Sequence, residues 1–211
     1  MKRLFLVRHG ETNWNREGRF QGKMDIPLNG LGTAQAEAAA KALESADIDR
    51  VVSSPLSRAA ETALPAASFA GLSVEMNVDL KEIDHGLWEG HTAEEVEKLC
   101  PEMLALWHSA PEKVTMPGGE NLENVQTRSW KAFEEVLAGP GERVAIFSHD
   151  AVIKVILCRA LGCPLSSFWR FRIANGSITM LEAGEKGLSL HVMGDACHLG
   201  NAWERKEQKG L

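Results

Sequence analysis

Short apolar runs recur along this chain, and most of the stretches between them place apolar and polar positions at helical spacing. The first run, Leu4-Phe5-Leu6-Val7, reads as a buried central strand. Further runs, rich in β-branched residues, stand at 50–53, 143–148, 177–181 and 188–192. Between them, residues 30–43 are alanine-rich with charges spaced for a solvated face, and 122–137 carry Val125, Phe133, Val136 and Leu137 on a helical repeat. A helix is expected over 55–69, behind a serine cap and with proline in its first turn. Thr92 and Glu95 form a capping box for a shorter helix, and 151–161 continue the helical pattern. The alternation predicts βαβ units in a three-layer α/β/α sandwich with a mainly parallel sheet, closed by a hairpin near Gly184 and Gly187. With no internal repeat or long linker, residues 1–211 read as a single domain, and the Pro/Gly-rich loop at 111–119 reads as a rim of the site.

Composition narrows the function. The 211 residues, 44% of them hydrophobic, suffice for one sizeable core. A net charge of -6 argues against nucleic acid or an anionic membrane as partner, so any bound anion must meet a local basic pocket. Cys100, Cys158, Cys163 and Cys197 form no C-x-x-C pair, no signal segment precedes the first strand, and no apolar run approaches membrane-spanning length. A reduced, cytoplasmic protein is expected.

Candidate chemistry gathers where the apolar runs end. Arg8 and His9 follow the first, and His149 follows 144–147 and opens a helix, whose positive end favours an anion. Arg58 sits in the first turn of another strand-to-helix unit, unless it is a surface residue pairing with Glu61. Two arginines, two histidines and helix N-termini on one rim make a pocket for a dianion, most simply phosphate. There is neither a G-x-x-x-x-G-K-[ST] nor a G-x-G-x-x-G loop for a nucleotide, and the histidines lack ligand spacing with carboxylates. Phosphoryl transfer without metal or other cofactor then needs a nucleophile, cations and a proton donor. A neutral imidazole can be the nucleophile, and flanking guanidiniums favour that neutral form. For the proton donor, spacing alone leaves Glu82, Asp84 and Glu89 in competition. Ser148-His149-Asp150 holds the residue types of a hydrolase triad, but neighbours in sequence cannot face one another in those roles and no G-x-S-x-G elbow exists. The tryptophans, Trp203 included, read as packing residues, His85, His91, His108, His191 and His198 as non-ligands, and 206–209 as a solvated, mobile tail.

Taken together, Arg8-His9-Gly10-Glu11-Thr12-Asn13-Trp14-Asn15, the serine-x-leucine-x-arginine-alanine element within 53–62, the block 80–90 and His149 resemble the histidine phosphatase superfamily, or phosphoglycerate mutase-like family, over nearly the whole chain. The resemblance implies a phosphohistidine on His9, with Arg8, Arg58 and His149 gripping the phosphoryl oxygens and Glu82 as proton donor. It also implies a hydrogen bond from Asn15 and a pocket lined by Gln21 and Gly22. The activity implied is that of a phosphoric monoester hydrolase of the histidine acid phosphatase type, acting on a small phosphorylated metabolite as monomer or homodimer.

A phosphoglycerate mutase is the competing reading. Mutases of the family carry paired arginines for the substrate carboxylate, and arginine and tyrosine soon after the glutamate. Here Lys98, Lys113 and Arg128 are scattered and Ile83, Asp84 and His85 follow Glu82. The same scaffold also suits a sugar-phosphate phosphatase or a non-catalytic phosphate-ligand binding protein. Within the phosphatases, 149–182 and 195–199 look most like the α-ribazole phosphatases of cobalamin biosynthesis. One position departs from the family: Asp150 replaces the common glycine after His149, and could either cap the following helix or repel a phosphoryl group.

Overall fold

The computed structural model describes residues 1–200; Trp203 and the tail at 206–209 lie outside the described residues. In chain order the elements are β1 (Lys2–Arg8), α1 (Asn13–Glu17), α2 (Gly30–Glu44), β2 (Arg50–Ser53), α3 (Ser57–Ala70), β3 (Val74–Met76), α4 (Ala93–Leu99), α5 (Pro101–Ser109), α6 (Leu122–Ala138), β4 (Arg143–Ser148), α7 (Asp150–Ala160), β5 (Ile178–Gly184) and β6 (Gly187–Asp195). The strands form one six-stranded sheet in the order β3-β2-β4-β1-β5-β6. Pairings among β1, β4, β2 and β3 are parallel; β5 and β6 add an antiparallel edge.

Helices cover both faces, which is why the central strands read as continuous apolar runs instead of alternating ones. Along β1, Leu4 and Leu6 join Val52, Val144 and Ile146 against residues of α6 and α7 such as Val125, Phe133 and Val152. Phe5 and Val7 point the other way, with Val51, Ala145 and Phe147, against Ala39, Ala40 and Leu43 of α2 and Ala63, Ala66 and Ala67 of α3. The alanines let both helices lie close to the sheet. By contrast β6, at the edge, has no fully buried residue and alternates exposed and half-buried positions from Gly187 to His191, the pattern of a strand partly covered on one side.

The parallel register sets the site. Arg8 lies opposite Ser148 and Ser53 opposite Phe147, so β1, β4 and β2 end at nearly one level and deliver His9, His149 and Ser54 to the same edge. The hairpin falls as expected, with Gly184 paired to Gly187. Two expectations at the β2–α3 junction are corrected. The helix starts at Ser57, not Pro55, and no serine caps it: its N-cap Leu56 has an apolar side chain, the Ser54 hydroxyl accepts from Leu56 N–H at 3.3 Å and meets His149, and the Ser57 N–H is met by Asp25 at 2.7 Å. β3, α1 and α5, which the sequence pattern does not predict, are short. The loop at 111–119 buries Val114 and Met116 and packs on the segment after Glu82, where the Pro117 carbonyl accepts from Leu87 N–H at 2.9 Å. Among the described residues no helix is long and apolar enough to cross a membrane, and all four cysteines are free thiols.

Candidate active site

His9 is the first residue beyond β1, 2% exposed, with its backbone N–H donated to the Ser148 carbonyl at 3.0 Å. Its Nδ1 lies 2.7 Å from the Gly10 carbonyl. A carbonyl only accepts, so this contact places the proton on Nδ1 and leaves the lone pair on Nε2. Burial, and then the charges of Arg58 and Arg8, hold the imidazole well below the ordinary histidine pKa. His9 is thus a buried neutral imidazole whose Nε2 carries the unprotonated lone pair.

His149 follows β4 and is the N-cap of α7, with its ring centroid 5.2 Å from that of His9. Its Nε2 meets the Ser54 hydroxyl at 2.8 Å, and burial together with Arg58 keeps its pKa well below the usual value too.

Arg58 is fully buried in the first turn of α3. It does not pair with Glu61, which accepts from Leu28 N–H at 3.0 Å. Instead its guanidinium donates to the carbonyls of Met24 and Gly22, each at 2.8 Å, and burial lowers its pKa to about 10. At that value it still carries its charge at neutral pH. Arg8 donates to the Ile173 carbonyl at 2.6 Å and to Asp150 at 3.3 Å. Asp150 also bonds Lys154 at 2.6 Å, one helical turn on, and Lys154 lies over the rings of Phe168 and Trp169. The carboxylate that stands where glycine is common is therefore flanked by two cations.

The loop between β1 and α2 supplies the remaining predicted residues. Asn15 closes a capping box with Thr12, whose hydroxyl also donates to Gln21 Oε1 at 2.9 Å, while Gly22 enters through its carbonyl on Arg58. Three buried polar atoms around His9 have no partner among the described residues: Asn15 Nδ2, Arg58 Nε and His149 Nδ1. Each such orphan costs about 1–3 kcal/mol unless something satisfies it, and an oxyanion among them would do so.

The acid candidates separate. Glu82 is 6% exposed, and burial, reinforced by Asp150, raises its pKa against the opposing pull of Ile83 N–H, Arg58 and Arg8. Asp84 resists the upward push of its own burial through Lys23 at 2.7 Å and Gly86 N–H at 2.8 Å, and stays below the usual value. Glu89 is also raised by burial, but it bonds Lys23 N–H at 2.9 Å, and among the arginines only Arg58 feels its charge. Of the three, Glu82 combines a raised pKa with Arg8 and Arg58 as neighbours.

Sequence reasoning missed Asn175. Its buried Nδ2 donates to the His9 carbonyl at 3.0 Å and approaches Asn15 Oδ1 at 3.3 Å, while Gly176 N–H donates to the carbonyls of both Arg8 and His9. The available signal was an Asn-Gly turn just before β5, the strand beside β1. His85 is fully buried, its ring against Phe20, with no partner among the described residues for either ring nitrogen. Among the described residues no three His, Cys, Asp or Glu side chains gather as metal ligands.

A neutral imidazole beside two guanidiniums, at the carboxyl edge of a mostly parallel sheet, defines an α/β protein with a basic pocket at the position where such sheets bind ligands. The chain belongs to the histidine phosphatase superfamily (branch 1), whose family model matches residues 4–196. It is 37% identical over 201 residues to phosphoserine phosphatase 1 of Hydrogenobacter thermophilus, covering 95% of each chain. Among solved structures, Bacillus stearothermophilus YhfR superposes with a TM-score of 0.89 at 31% identity, over 94% of this chain and 100% of the other. The α-ribazole phosphatase from Shigella flexneri gives 0.83 at 27% identity, over 92% and 96%.

Proposed function

We propose that this chain hydrolyses small phosphate monoesters through a phosphohistidine on His9. The observation that carries the reading is the Nδ1–H contact to Gly10, which leaves Nε2 unprotonated within a cluster of cations and unpartnered donors. His9 Nε2 attacks phosphorus in line, the ester P–O bond breaks, and Glu82 gives its proton to the departing oxygen. Arg8, Arg58, Asn15 and His149 hold the phosphoryl oxygens, and Gln21 and Gly22 keep the surrounding loop in place. The phosphoimidazole retains its Nδ1 proton, so the Gly10 carbonyl faces the positive charge that develops on the ring. In the second step water attacks phosphorus, Glu82 carboxylate takes the proton, and the N–P bond breaks to release inorganic phosphate.

Hydrolysis is favoured over phosphoglycerate transfer because Arg128, the one of the three scattered cations that contacts the Glu82 backbone, is committed to Glu120 and to backbone carbonyls. The higher identity to a phosphoserine phosphatase than to an α-ribazole phosphatase supports phosphoserine over α-ribazole 5′-phosphate as substrate.

The test is phosphate release, with chelator present, from phosphoserine, α-ribazole 5′-phosphate, sugar phosphates, both phosphoglycerates and an aryl phosphate. Preference for phosphoserine is expected, with turnover lost by on the order of 10⁴-fold or more in His9→Ala. Preference for the ribazole ester would reassign the substrate. Silence across the panel, or a His9→Ala enzyme that still turns over, would overturn the reading.

A further inference from the structure

The segment that bears Glu82 is neither helix nor strand. It follows the 3₁₀ turn Val78–Leu80, so no ladder of backbone hydrogen bonds fixes it. Its backbone groups are instead met by side chains. Arg128, in the second turn of α6, donates through Nη1 to the carbonyls of Asp79 at 2.9 Å and Lys81 at 2.6 Å, and through Nη2 to that of Glu82 at 3.0 Å. The same guanidinium makes a two-pronged pair with Glu120, at 2.8 and 2.9 Å. Glu120 in turn accepts from Asp84 N–H at 3.0 Å, and its own N–H donates to the Asp84 carbonyl at 2.9 Å. One ion pair therefore binds the chain on both sides of Glu82. Ser148, at the end of β4, adds a bond from its hydroxyl to the Leu80 carbonyl at 2.8 Å.

Surface ion pairs contribute little, but this one is largely covered, with side-chain exposures of 19% and 25%, and it satisfies backbone groups that would otherwise need water. The planar fork of arginine can reach three carbonyls and a carboxylate at once; an ammonium cannot.

We propose that Arg128 and Glu120 are the positioning residues of the proton donor, a clamp that holds the Glu82 carboxyl at the leaving oxygen. The proposal rests on the reading of Glu82 as that donor. A general acid must lie within hydrogen-bond reach of the oxygen it protonates, and a displacement of about 1 Å costs on the order of 10²-fold in rate.

The test uses leaving-group dependence, which a merely structural role would not move. Values of kcat/KM report the steps up to departure of the alcohol, and are compared for phosphoserine, whose alkoxide needs a proton, and dinitrophenyl phosphate, whose phenolate does not. Arg128→Lys and Glu120→Gln should each lose about 10²-fold on phosphoserine and under about threefold on the dinitrophenyl ester. Glu82→Gln should show the same selectivity. Equal losses on both esters, or no loss on phosphoserine, would overturn the clamp while Glu82→Gln still behaves as an acid variant. Absence of selectivity in Glu82→Gln would overturn the acid assignment and the clamp with it. Folding is checked by circular dichroism, and Glu120→Gln, nearly isosteric, carries the test should Arg128→Lys not fold.

Discussion

His9 and Glu82 are driven in opposite directions by one cause. Burial penalises charge, so the imidazole loses its proton more readily and the carboxyl keeps its proton longer. The signs fix the pH profile of kcat/KM. Activity falls on the acid side as His9 gains a proton, at a pH well below the ordinary 6.5, and on the alkaline side as Glu82 loses one, above the ordinary 4.5. The expected profile is a bell whose alkaline limb belongs to Glu82. In Glu82→Gln that limb should vanish, while kcat/KM for an alkyl ester drops by about 10²–10³-fold; a limb that persists in the variant would assign it elsewhere. Most of these residues were legible in sequence because each ends an apolar run or sits in a motif. Ser54 and Asn175 were not, since their partners lie far along the chain, at His149 and His9. The Asp150 question was half legible: Lys154 is spaced one helical turn away, but the contact to Arg8 crosses the sheet.

At the scale of elements, the His9 turn is held by the start of α2. Gly10 and Gly32 approach backbone to backbone, and a Cβ on Gly32 would press into the Glu11 backbone. Alanine is the better helix former by about 1 kcal/mol, yet overpacking costs about 1–3 kcal/mol, so the clash decides the sign. Gly32→Ala should destabilise the protein by up to about 2 kcal/mol in denaturant unfolding, with lower kcat from a displaced His9. Gly30→Ala, two residues earlier with open space around its Cβ, should be neutral or stabilising by a few tenths of a kcal/mol. Equal effects at the two positions would contradict the close-approach account. Elements with a long period were legible: α2, α6 and α7 were read to within a residue or so at either end. β3, with three residues, and α1, with five, carry too few positions for a period to show. The start of α3 was misread because a Ser-Pro pair satisfies the local rule for a helix start, whereas the Ser54 hydroxyl serves Leu56 N–H and His149, and the first helical N–H, that of Ser57, is met by Asp25 from the preceding loop.

Across the whole molecule, the parallel register gathers the ends of β1, β2 and β4, so residues about fifty and ninety positions apart form one cluster. The mixed, mostly parallel sheet was foreseeable from alternating strand and helix patterns. Strand order was not, because β4 inserts between β1 and β2, a pairing no local pattern encodes. The most direct test of the account is to mix enzyme with a stoichiometric amount of a phosphate ester labelled at phosphorus, quench in alkali within one turnover, and locate the label by peptide analysis. The account predicts a label stable to alkali, labile to acid and bound to His9. Label on His149 or on a serine, or turnover with no covalent label under conditions that slow the second step, would contradict it.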